Sequence, residues 1–67
     1  MPFNIIKEET IEEHGMCQQE PSQKTGDTWI DEMGRKCVVD DVRFVKYVWE
    51  AVALWHIYIT VYEKGEY

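Results

Sequence analysis

The stretch 51-AVALWHIYITVYE-63 decides how this chain folds. From Trp55 onward, Trp55, Ile57, Ile59 and Val61 alternate with His56, Tyr58, Thr60 and Tyr62. A repeat of two residues is the signature of a strand with one buried face. One face of this strand is wholly apolar. The other carries an imidazole, two phenols and a hydroxyl, groups that tolerate partial contact with water. The same stretch fails as a membrane span. A span needs about 20 mostly apolar residues, and the run from Tyr47 to Tyr62 is interrupted by Glu50 and His56.

Upstream the pattern stays β. "DTWI" (27–30) opens a strand with three good strand formers. "DEMG" (31–34) reads as a tight turn, opened by a carboxylate and closed by Gly34, which can take a positive φ. "RKCVVDDVRFVKYV" (35–48) then reads as one long strand. Asp40 and Asp41 cannot both face a core cheaply, so a bend or bulge is expected between them. The strand is expected to run to about Trp49, with a turn or short helical piece over Glu50–Ala53.

The first third is different. "FNII" (3–6) has the look of a short strand. "TIEE" (10–13) has the order of a helix capping box, but Gly15 would end a helix early. "QQEPSQKTG" (18–26) is polar, with Pro21 and Gly26, and reads as a loop. Two domain parts are therefore expected: an arm or linker over residues 1–25 and a small β domain over 26–67. The expected fold class is mainly β, a small bent antiparallel sheet or an SH3-like barrel of three to five strands.

Sixty-seven residues with a formal net charge of −6 make one small acidic unit. A chain this short buries only about 60% of the surface its unfolded form exposes. Yet 45% of its residues are hydrophobic, including three Trp and four Tyr. That load exceeds what one thin core covers, and a homodimer is expected on that ground. The negative surface disfavours phosphate partners. No basic, apolar leader opens the chain, so a cytoplasmic location and reduced thiols at Cys17 and Cys37 are expected.

No motif for chemistry stands out. His14 and Cys17 form one local H-x-x-C pair, and Cys37 and His56 could complete four zinc ligands. A zinc signature usually supplies two local pairs, so no metal site and no cofactor are expected. A cysteine–histidine nucleophile has nothing to fix its proximity. Adjacent carboxylates on a regular strand point to opposite faces. The chain therefore reads as a non-enzyme. Neither GxGxxG nor GxxxxGK occurs.

What remains is a binding face. Tyr47, Trp49, His56, Tyr58 and Tyr62 are the expected partner-contacting residues, since aromatic groups with polar tips suit interfaces. An acidic rim would favour a basic protein partner. The competing expectation is a nucleic-acid-binding β module. It would stack bases on Tyr47, Trp49, Tyr58 and Tyr62 beside Arg43 and Lys46.

The run "GDTWIDEMGRKCVVDDVRFV" (26–45) resembles the opening of small SH3-like β-barrels. These begin with a Gly-Asp strand entry, a hairpin with Gly in its turn and a bending second strand; "WHIYITVYE" would be the last long strand. Many such domains are small accessory proteins of phages and prophages. The resemblance implies a binding module without chemistry of its own, of a kind that often inhibits a host enzyme and, when acidic, sometimes imitates DNA. It carries no functional residue onto this chain.

Overall fold

The computed structural model describes residues 1–14 and 19–67. Four strands, β1 (Phe3–Glu12), β2 (Thr28–Ile30), β3 (Lys36–Trp49) and β4 (Val52–Tyr62), form one open antiparallel sheet in the order β1-β4-β3-β2. The fold is mainly β, and of the two expected forms it takes the open sheet, with β1 and β2 as its edges. No helix in the described residues is long and apolar enough to cross a membrane.

β4 is the axis of the molecule. It pairs with β1 from Phe3↔Val61 to Glu12↔Val52, and with β3 from Lys36↔Tyr62 to Trp49↔Val52. Its alternation is carried into burial without exception: Ala53, Trp55, Ile57, Ile59 and Val61 are buried, and the residues between them are half-buried. Residues directly opposed across a ladder share a face. Cys37, Val39, Ile57, Ile59 and Val61 therefore cluster into the core, with Trp29 and Val42 packed against them. Cys37 is a buried free thiol; Cys17 and Gly15 lie outside the described residues.

Residues 3–12, expected within an arm, pair with β4 over their whole length. Because β1 and β2 occupy opposite edges, the chain between them must cross the sheet. Its described part, residues 19–27, lies over the apolar face. Pro21 is buried, the Lys7 ammonium donates to Gln23 Oε1 at 3.3 Å, and Glu20, Pro21, Gln23, Lys24 and Thr25 border a hollow with Val42 and Trp55. Gly26 N–H then donates to Val39 O at 2.8 Å, and Val39 N–H to Asp27 O at 2.9 Å. A polar loop thus serves as a strap over a core that has no second layer. We call this the strap face and the opposite side the open face.

β3 is longer than the strand it pairs with, and three bulges, at Asp40, Val45 and Val48, absorb the excess. Each extra residue bends the strand and increases its twist. The bulge expected at the paired carboxylates is there. The turn after Trp49 is tighter than expected: only Glu50 and Ala51 connect the strands, with Ala51 at φ 54°. A residue with a Cβ adopts that conformation at a cost of roughly 1–2 kcal/mol.

The Asp31–Gly34 turn forms as the sequence indicates, and its carboxylate organises it. Asp31 Oδ1 accepts from Met33 N–H at 2.9 Å and Arg35 N–H at 2.8 Å, while Oδ2 accepts from Arg35 Nε at 2.8 Å. Gly34 closes the loop at φ 78°. The Arg35 backbone N–H above all, then the Arg35 guanidinium and the Met33 N–H, hold the Asp31 carboxyl below its ordinary value. A depressed carboxyl adds stability that is present above its unfolded pKa, about 3.9, and is lost as pH falls through the lower folded value. Asp31→Ala is expected to lower the urea midpoint at pH 7. The gap to the parent should close as pH falls below about 4. A pH-independent gap would show that the charge of Asp31 plays no part.

Candidate functional site: the open face

The open face is the side of the sheet opposite the strap. Across β1, β4 and β3 its rows read Asn4–Thr60–Val38, Ile6–Tyr58–Asp41, Glu8–His56–Arg43, Thr10–Leu54–Lys46 and Glu12–Val52–Trp49. Tyr62 opposes Lys36 at one end. His56, Tyr58 and Tyr62 are half-buried among these neighbours, and Trp49 is 76% exposed beside the hairpin turn.

Four of the five expected contact residues thus share one face, and Tyr47 does not. Tyr47 opposes Ala53, on the strap face. There its ring meets Phe44 edge-on at 5.1 Å. Its hydroxyl lies 3.2 Å from both Glu13 carboxylate oxygens and donates to that group. This bond to Glu13 raises the Tyr47 pKa. Phe44 in turn packs edge-on against Trp55 at 5.7 Å. Tyr47 therefore belongs to an aromatic cluster flanking the core and is removed from the open-face set.

At the centre of the open face lies a hollow of about 450 Å³, bordered by Asn4, Ile6, Asp40, Asp41, Arg43 and Tyr58. The bulge builds it. In a regular strand Asp40 and Asp41 would point to opposite sides; here both turn to the open face. Asp41 opposes Tyr58, and Asp40 Oδ2 accepts from the Thr60 hydroxyl. The Asn4 carboxamide oxygen is placed 3.0 Å from the same hydroxyl. A hydroxyl has one proton, so the Asn4 amide must present its N–H₂ to Thr60.

The Arg43 guanidinium lies 5.7 Å over the Tyr58 ring and donates to Asp41 Oδ2 at 2.5 Å. That bond is the main cause holding the Asp41 carboxyl low and the Arg43 guanidinium high. His56 Nε2 is 3.8 Å from Glu8 Oε2, and its ring meets Tyr58 at 6.4 Å.

Of the zinc candidates, Cys37 and His56 do not converge, and Cys17 lies outside the described residues. Cys37 opposes Val61 on the strap face, while His56 opposes Arg43 on the open face. The sheet separates them. His14 is exposed just beyond β1. Among the described residues no three His, Cys, Asp or Glu side chains are grouped to hold a metal. Burial pushes the Cys37 thiol above its ordinary pKa, which makes it a poor nucleophile.

Comparison with protein families, curated proteins and solved structures finds no match to this chain.

Proposed function

We propose that this chain is a small acidic protein-interaction module without catalytic activity, and that the open face is where its partner binds. One observation carries the reading. Opposite the strap, the sheet presents Tyr58 at a hollow walled by Asp40 and Asp41, with His56 and Tyr62 half-buried in other rows of the same face and Trp49 exposed at its hairpin end. Such a hollow suits a lysine or arginine side chain, with an aromatic floor for the cation and Asp40 and Asp41 for its charge. Arg43 holds Asp41 from within the chain, so an incoming cation would use Asp40 or displace Arg43 from Asp41 and the Tyr58 ring. The fitting partner is a protein with a basic, nucleic-acid-binding surface. An inhibitor of such a partner, the role the resemblance to SH3-like accessory proteins of phages implies, is the form of this reading that the acidic charge fits.

Nucleic-acid binding through the same aromatics is the second reading, favoured by Arg43 over Tyr58. Against it, Arg43 is paired with Asp41 and Arg35 with Asp31. The five lysines have no ion-pair partner among the described residues, but they stand against 13 acidic residues in a chain of net −6.

The test uses the full chain as bait in a bacterial lysate, beside a Tyr58→Ala/Trp49→Ala variant. The parent is expected to recover a basic protein. The variant should bind it about thirtyfold more weakly, the scale of an interface hot spot near 2 kcal/mol. Equal recovery by both baits would defeat the reading. A low-salt shift with DNA or RNA would replace it with the second.

A further inference from the structure

The two edges of the sheet are built differently. Beyond β2, which pairs only with Lys36–Val38, β3 carries its bulges at Asp40, Val45 and Val48. Bulges and charged side chains blunt an edge against pairing with another chain. β1 pairs with β4 in ten consecutive registers without a shift, so it presents a straight edge.

Among the described residues, one edge of β1 has backbone groups with no partner. Glu13 N–H donates to Ala51 O at 2.7 Å, continuing the β1–β4 ladder by one residue. In an antiparallel pair the residues turn alternately toward and away from the neighbour. Odd-numbered residues of β1 therefore bond to β4. Asn4, Ile6, Glu8, Thr10 and Glu12 turn their N–H and C=O groups outward.

We propose that β1 is a dimerisation edge. Two copies pair antiparallel along Phe3–Glu12 about a twofold axis at Glu8, joining two four-stranded sheets into one. With the axis at Glu8, every outward residue of β1 finds an outward partner. Glu8 opposes Glu8 of the partner subunit, Ile6 opposes the partner's Thr10, and Asn4 opposes the partner's Glu12. Each of these pairs exchanges two backbone hydrogen bonds.

The side chains between them are self-complementary. Lys7 faces the partner's Glu9, and Glu9 faces the partner's Lys7. Among the described residues neither has an ion-pair partner within its own chain. Ile5, 43% exposed, meets the partner's Ile11. Charges that blunt an edge toward strangers thus become attractive toward a second copy. Unfavourable contacts are the Glu8 pair on the axis and, more weakly, the like charges at Lys7 and Glu9 that are diagonal across it. The dimer would place two open faces side by side on one continuous surface. It rests on β1 alone and does not depend on the proposed role of the open face.

Sedimentation or light scattering of the intact chain at high micromolar concentration is expected to show twice the chain mass of 8.0 kDa. Lys7→Glu should weaken the dimer about tenfold. Lys7→Glu/Glu9→Lys should restore it, because the exchanged charges again face each other. Glu8→Gln should tighten it about two- to fivefold. Glu8→Cys should form an interchain disulfide far faster than the parent, whose own thiols are Cys17 and Cys37, because the two residues 8 meet on the axis. Circular dichroism of each variant confirms that the sheet is intact. A monomer throughout the concentration range, or a dimer indifferent to Lys7→Glu, would overturn the proposal. So would a charge swap that fails to restore association.

Discussion

Ile57→Ala is expected to remove half or more of the stability of this protein, and in warm solution to leave it largely unfolded. Ile57 is fully buried and lies at the middle of β4, which is paired along its whole length on both sides, opposite Lys7 and Val42. Truncating a buried isoleucine to alanine costs about 2–5 kcal/mol: the lost transfer energy plus the cavity left behind. Domains gain only about 0.05–0.15 kcal/mol of stability per residue, so a chain of this length holds about 3–10 kcal/mol in all. A single layer of strands under a polar strap has few neighbours able to collapse into the gap.

Urea denaturation followed by tryptophan fluorescence measures the loss. Trp55 lies on the same face as Ile57 and should report loosening of the core directly. The informative control is the next residue. Tyr58→Ala removes a larger side chain, but from the half-buried open face, and should cost less than half as much. Equal losses at the two positions would mean that the sheet is stabilised from both sides, and that the open face is already covered in the free protein.

How far this could be read from sequence depends on the strand. β4 was legible because its two-residue alternation is unbroken. The Asp31 turn was legible because a carboxylate and a glycine sit where a tight hairpin needs them. The bulge at Asp40 followed from the cost of burying a carboxylate. β1 was not legible in full. Its strap-face positions read Phe3, Ile5, Lys7, Glu9 and Ile11, a mixed row of which only Glu9 and Ile11 are half-buried, and it becomes a strand face only because β4 lies beside it. The place of Tyr47 was lost for another reason. Tyr47 and Trp49 are two residues apart, so simple alternation puts them on one face. The bulge at Val48 turns them to opposite faces, and nothing local in "KYVW" announces it. The hollow at Tyr58 was missed although its bulge was expected, because the sequence does not show that the bulge turns both carboxylates to one side.

Bulges therefore decide which side chains reach the open face, and deletions should expose that. Deleting Val38 is expected to abolish folding, whereas deleting Asp40, two residues away, should leave a folded chain. Without Asp40, the pairs Val39↔Ile59 and Asp41↔Tyr58 simply become consecutive. Every other side chain keeps its face, and the loss is the Asp40–Thr60 hydrogen bond and some local twist. Without Val38, the strand has two choices. If the ladder beyond Asp41 holds, Val39 moves to the open face and Asp40 takes its place opposite Ile59, forcing a carboxylate into the core. If the Asp40 bulge holds instead, Lys36 and Cys37 slide by one residue and exchange faces. Cys37 then leaves the core, and Trp29, which opposes it, loses its register. Both routes break the apolar cluster that stabilises the sheet. Circular dichroism and the cooperativity of urea unfolding distinguish the two variants. Unfolding of both would mean that the bulge itself is required for the fold. Folding of both would mean that the core does not fix the register of β3.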